Sequence, residues 1–203
     1  MGIYNLFPTP ILHESKIISN SLLESLQKQV RKTKSYNNEV GSTLIHTQHD
    51  QFDNPELEKI LLSYICEFGY QFFGERKNWI ITSIWGNIMK QGGYQHRHCH
   101  SNSFVSGILY LKLPPGSSFT RFHRREFGGD TFTFSNEGGD ITEYNNMSVD
   151  LNGINEGDLV LFPSYIIHDV PINKSKSDRI TVAFNAVPES LQNSGYRIGF
   201  TKI

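Results

Sequence analysis

The sequence predicts a mainly β fold with flanking helices: an antiparallel sandwich or barrel that carries helices on its outside. Two helical patterns are confined to roughly the first 75 of the 203 residues. From Trp79 onward, short apolar or alternating runs are separated by Gly, Pro and Asn. The composition agrees, since 12% aromatic residues, 14 Phe and 17 Gly favour strands and turns over a helical bundle.

The first helical pattern runs from Ser19 to about Lys34, with Leu22, Leu23, Leu26 and Val30 forming one apolar stripe at spacings of three and four. Ser19, Asn20 or Ser21 can cap it. The second starts with Asn54 as cap and Pro55 at the first helical position, and it ends near Gly74. Strands are expected near 79–90, 104–113, 130–135, 146–151, 158–163, 178–187 and 195–201. Residues 114–129 are expected to form a long loop with a basic tip of Arg121, His123, Arg124 and Arg125, either a solvated loop or a lid over an acidic substrate.

The length suits one domain able to bury a core without staples. Lys+Arg 19 against Asp+Glu 20 leaves a net charge of −1, which argues against a general nucleic-acid binder. Cys66 and Cys99 cannot make a disulfide framework, and no apolar run reaches the ~18 residues of a membrane span. The expectation is a cytoplasmic protein with no nucleic-acid or membrane partner.

The most unusual local feature is QHRHCHS, which places His96, His98 and His100 within five residues. Alternate residues of an extended chain share a face, so all three imidazoles, or two if the chain bends, point the same way. Imidazole is a good ligand for Fe, Zn, Ni and Cu. Cys99, on the opposite face, is expected to be a small buried residue rather than a ligand. Downstream, Leu159–Phe162 reads as a buried strand stopped at Pro163, and His168 is expected in a short connection before Pro171. In the strand that follows, Arg179, Thr181, Ala183 and Asn185 share one face while Ile180, Val182, Phe184 and Ala186 share the other. If the first face lines a barrel, Arg179 is a buried cation awaiting an anion, and its guanidinium fork matches a carboxylate.

Three blocks resemble the Fe(II)/2-oxoglutarate-dependent oxygenases, most closely a small bacterial and phage branch related to prolyl hydroxylases. They are NLFPTPI, WGNIMKQGGYQHRHCHSNSFVSGILYLKLPPG, and EGDLVLFPSYIIHDV followed by DRITVAFN. The resemblance implies a double-stranded β-helix (a cupin-like jelly roll) over 79–203, with 1–78 supplying two supporting helices, the whole of 1–203 being one domain. It implies Fe(II), 2-oxoglutarate and O2 as cofactor and cosubstrates, with His98 as first metal ligand and His168 as distal one. Arg179 would pair with the far carboxylate of 2-oxoglutarate, supported by Thr181, with Tyr110 and Asn87 as further contacts. The implied reaction is hydroxylation of a peptide or amino-acid-like substrate with release of succinate and CO2.

The chain departs from the family pattern at the third ligand. The acid expected two residues after the first histidine is His100 here, and no Asp or Glu lies between Lys90 and Arg125. Either His100 replaces the acid, which is the favoured reading, or Asp130 or Asp169 swings in; His96 pairs with His98 if the register shifts by two. Three neutral ligands would leave the full 2+ charge on the metal, so the site should lean harder on an anionic cosubstrate. Two other readings stand beside this one. A three-histidine cupin-type metalloenzyme without 2-oxoglutarate leaves Arg179 and Thr181 unexplained, and a non-catalytic jelly-roll binding module draws on the missing carboxylate.

Overall fold

A computed structural model describes residues 2–5, 8–37, 44–47, 52–124, 140–142 and 146–202. In chain order the elements are β1 (Leu12–Glu14), α1 (Asn20–Lys32), β2 (Ser35–Asn37), β3 (Leu44–Thr47), α2 (Pro55–Phe73), β4 (Trp79–Met89), β5 (Gln95–His98), β6 (Val105–Lys112), β7 (Arg121–His123), β8 (Ser148–Asp150), β9 (Leu159–Pro163), β10 (Ile167–Val170), β11 (Arg179–Pro188), β12 (Ser190–Asn193) and β13 (Tyr196–Gly199).

Both helices start and stop where local chemistry dictates. Ser19 caps α1 by accepting from the Leu22 amide, and Asn54 caps α2 by accepting from the Leu57 amide, with Pro55 following it. Gly74 ends α2 in the left-handed region at φ 66°, where a side chain would be strained. The apolar stripes Leu22/Leu26/Val30 and Leu57/Leu61/Ile65 are buried in one core with Leu109, Leu161, Val182 and Phe184 of the sheet.

The strands form two antiparallel sheets and a separate hairpin. Among the described residues, the larger sheet has the order β1-β9-β6-β11-β4-β3-β2, the smaller has β5-β10-β7-β8, and β12 pairs with β13 alone. From β4 to β11 the chain passes back and forth between the two main sheets, with β4, β6, β9 and β11 in the larger and β5, β7, β8 and β10 in the smaller. This is the winding of a double-stranded β-helix, and the fold is the expected mainly β jelly roll with flanking helices. The larger sheet packs its outer face on the helices and turns its inner face toward the smaller sheet. Gly107 on β6 allows the closest approach in that core: a Cβ there would overlap the Phe184 ring and stand 2.7 Å from Leu161 Cδ2.

Several expectations need correction. His168 lies within β10 rather than in a connection, because Ile167, His168 and Asp169 pair with His123, Phe122 and Arg121. The basic tip is not a loop at its start: Arg121–His123 is β7, Phe122 and His123 are buried, and Arg121 Nε donates to Asp150 Oδ1 at 2.6 Å on β8. Arg125, Asp130 and the strand expected over 130–135 lie outside the described residues. Cys99 is exposed, not buried, since it faces outward just past β5, the edge strand of the smaller sheet. Among the described residues, no helix is long and apolar enough to cross a membrane.

Candidate metal centre

His98 ends β5, His100 follows two residues later, and His168 sits opposite His98 in the β5–β10 ladder. One ring nitrogen from each lies within 4.8 Å of the others, and this is the one such cluster among the described residues. The ring centroids are 4.3 Å (His98–His168), 5.1 Å (His100–His168) and 5.2 Å (His98–His100) apart. His96 is not part of it. The β5–β10 register shifts between His168 and Val170, so two residues of β5, His96 and Arg97, stand where one is expected. Alternation is broken there: His96 and Arg97 are exposed, while Gln95 returns to the inner face.

Each of the three rings is held from behind. His98 Nδ1 meets the His96 carbonyl at 2.8 Å and His168 Nδ1 meets the Ile166 carbonyl at 3.0 Å. A carbonyl only accepts, so both Nδ1 atoms carry the proton and both Nε2 lone pairs are left for a ligand. His100 Nδ1 hydrogen-bonds Asn185 Oδ1. Burial pushes the His168 pKa down to about 3, with the neighbouring His98 adding to the effect, and burial likewise lowers that of His98. These two imidazoles are therefore neutral at ordinary pH, the state a metal requires.

A cavity opens from this cluster and runs along the inner face of the larger sheet. Its floor follows from register. Thr181 on β11 lies between Asn87 on β4 and Tyr110 on β6, Arg179 lies beside Met89, and Ala183 lies between Trp85 and Ile108. Arg179, Thr181, Asn87, Met89, Trp85 and Ala183 all line the cavity, as does Gln95. Arg179 is 2% exposed, no described carboxylate pairs with it, and its Nε has no hydrogen-bond partner among the described residues. Burial pulls its pKa below the ordinary arginine value, although a guanidinium keeps its proton under any working condition. Asn87 Oδ1 is likewise buried without a partner among the described residues, and Asn87 Nδ2 reaches Thr181 Oγ1 at 3.5 Å. Tyr110 flanks this row without lining the cavity; its buried hydroxyl bonds Thr120 Oγ1 at 2.9 Å and its ring centroid is 5.4 Å from the Arg179 guanidinium carbon.

Except for Tyr110, which flanks the cavity, the metal and cosubstrate residues expected from the sequence thus converge on it, with two further qualifications. Asp169 is turned from the cluster: its Oδ2 accepts from His123 Nε2 at 2.9 Å, with Arg97 Nε at 3.7 Å. Gln95, Trp85 and Asn185 join the site without a sequence-based role assigned to them. Parity with Asn87 on β4 marks Trp85, and parity with Arg179 places Asn185 on the inner face, but no sequence signal marks the bulge that turns Gln95 inward.

A jelly roll with converging imidazoles at one end of an inner cavity and a buried, unpaired guanidinium at the other is the frame of a metal-dependent enzyme acting with an anionic ligand. The family described as "Putative 2OG-Fe(II) oxygenase" matches residues 83–185, just over half of the chain. The chain belongs to this family of 2-oxoglutarate- and Fe(II)-dependent oxygenases. Solved structures agree at the level of fold. The epimerase SnoN from nogalamycin biosynthesis, solved with Fe3+, alpha ketoglutarate and nogalamycin RO, is 10% identical with a TM-score of 0.66, covering 93% of this chain and 83% of that one. A 2OG-Fe(II) oxygenase family oxidoreductase from Burkholderia pseudomallei is 12% identical (TM-score 0.58; 87% and 83% covered). A prolyl-4-hydroxylase from Pseudomonas putida is 15% identical (TM-score 0.56; 87% and 92% covered). Among curated proteins, an NADH-quinone oxidoreductase component of Magnetococcus marinus is 35% identical over 81 residues, which cover 37% of this chain and 23% of that protein. The chain thus spans under a quarter of that protein's length.

The residues fit the family's metal and cosubstrate. Three nitrogen donors, two of them with Nδ1 protons anchored on backbone carbonyls, suit Fe(II). The unpaired Arg179 and a lining with no acid among the described residues suit a dianion such as 2-oxoglutarate.

Proposed function

We propose that the protein hydroxylates a peptide or amino-acid-like substrate, with His98, His100 and His168 holding Fe(II) and Arg179 holding the far carboxylate of 2-oxoglutarate. The observation that carries this reading is the pairing, in one cavity, of the three-histidine cluster with a buried arginine that lacks an anion. When both are bound, iron and cosubstrate couple oxidative decarboxylation of 2-oxoglutarate to O2 reduction, giving succinate, CO2 and a hydroxylated C–H position.

The chain's own residues supply position and seclusion. The Arg179 fork grips two carboxylate oxygens, and its desolvation makes that contact stronger than in water. Thr181 Oγ1 and the Asn87 side chain stand close by on the same inner face and supply further polar contacts. Tyr110 steadies the guanidinium through its ring and is itself tied to Thr120. His98, His100 and His168 are neutral donors and would leave the 2+ charge of a bound metal uncompensated, which favours an anionic cosubstrate. Trp85, Ile108, Phe162 and Val170 give the rest of the cavity an apolar wall that limits water. The helices of 1–78 buttress the 79–203 core as parts of one oxygenase domain. Two free cysteines support a cytoplasmic location.

Calorimetry with 2-oxoglutarate in the presence of Fe(II) under anaerobic conditions, followed by succinate detection with peptide and amino-acid substrates in air, tests the reading. Iron-dependent binding and substrate-stimulated succinate release are expected. Absence of both overturns it.

A further inference from the structure

Behind the cluster lies a polar network that the ligand set itself does not use. His100 Nδ1 hydrogen-bonds Asn185 Oδ1, and Ser106 Oγ lies 2.8 Å from that oxygen and 3.0 Å from the ring nitrogen. Asn185 Nδ2 donates to Ser83 Oγ at 3.1 Å. Ser106 Oγ continues to Ser164 Oγ at 2.8 Å, which reaches Ser103 Oγ at 2.9 Å. Ser106 and Ser164 are fully buried. The backbone joins in, since the His100 amide donates to the Ser164 carbonyl at 2.9 Å. Register explains the convergence: Asn185 on β11 lies between Ser83 on β4 and Ser106 on β6, on the same inner face as Thr181.

An amide can face an imidazole in two ways. With Oδ1 toward His100, the ring must donate from Nδ1, and the Nε2 lone pair is available to a metal. With Nδ2 toward His100, the ring must accept at Nδ1 and carry its proton on Nε2, which removes it as a ligand. The observed orientation is the first: in it Oδ1 also lies within hydrogen-bond reach of the Ser106 hydroxyl, and Nδ2 donates to Ser83 Oγ. His98 and His168 receive the same service from fixed backbone carbonyls; His100, beyond the end of β5, receives it from a side chain on another strand.

We propose that Asn185 is a positioning residue for the metal centre, one that selects the Nδ1–H tautomer of His100 and thereby makes it the third ligand. Its acceptor is neutral, so it orients the ring without returning to the site the negative charge that a carboxylate ligand would bring. The inference rests on the proposed ligand set, and the experiment separates the two.

Ni(II) is titrated into the full chain freed of metal, for wild type, Asn185→Ala, Asn185→Asp and His100→Ala, with calorimetry for affinity and thermal melts of the metal-free proteins alongside. Loss of an outer partner of a ligating histidine weakens metal binding about 10–100-fold, and that is expected for Asn185→Ala. Asn185→Asp retains an acceptor for Nδ1–H and is expected to bind at wild-type affinity or more tightly, even where its melt is as low as that of the alanine variant. A merely structural role would instead make affinity follow the melts. Wild-type affinity in Asn185→Ala, or binding by Asn185→Asp about tenfold weaker than wild type, overturns the proposal. If His100→Ala itself binds Ni(II) like wild type, the ligand set is wrong and the proposal falls with it. If His100→Ala loses the metal while Asn185→Ala keeps it, only the role of Asn185 fails.

Discussion

The two faces of β11 differ in a way that separates folding from function. Ile180, Val182, Phe184 and Ala186 point outward and are all fully buried in the apolar core shared with the helices and neighbouring strands. Arg179, Thr181, Ala183 and Asn185 point inward, where buried polar atoms stand without partners among the described residues and a cavity remains. One strand therefore contributes close packing on one side and carries unmet charge on the other. The cost of burying a lone guanidinium is sustained by the rest of the fold, and the proposed function offsets it with the cosubstrate's carboxylate. The prediction for any substitution on β11 follows from which face it occupies.

The largest effect is expected on the packed face. Phe184→Ala should cost about 3–5 kcal/mol of unfolding free energy in urea melts, because the ring fills the space over Gly107. Equal stability of this variant would mean that the outer face is not the main core. On the other face, Arg179→Met should weaken 2-oxoglutarate binding by about 100-fold or more while leaving metal-free stability unchanged or raised, since it removes an unpaired buried charge. A large loss of stability with intact binding would erase the distinction between the faces. Gly107→Ala, which presses on Phe184 from β6, should cost about 1–3 kcal/mol of stability with no direct effect on cosubstrate affinity, as read by paired melts and calorimetry. Smallest is Thr181→Val, which keeps the shape and deletes one hydroxyl; it should cost about 1 kcal/mol in 2-oxoglutarate binding and little in stability.

Much of this is legible in the sequence. The caps Ser19, Asn54 and Pro55, the stop at Gly74 and the alternation along β11 are local signals, and each is observed where the residues place it. Elements of three or four residues are harder to read. β1, β5, β7, β10 and β12 are too short for a period to show, and most of them are held by pairing with strands far away in the chain. The basic run at Arg121 is a case in point: its charge suggests a loop, but pairing with β10 and an ion pair to Asp150 on β8 make it a strand.

By itself, the sequence determined the periods, the caps and the inventory: which residues alternate, where helices begin, and that three histidines lie near one another with an arginine on a strand further along. These depend on neighbours a few residues apart, where backbone geometry is the same in any fold. Only the tertiary structure decided which imidazoles converge. A register shift between β5 and β10 turns His96 out and Gln95 in, and pairing across β4, β11 and β6 brings Asn185 behind His100 with Ser83 and Ser106 on either side. Bulges and cross-strand neighbours depend on hydrogen bonds between segments far apart in the chain, and no local pattern encodes them.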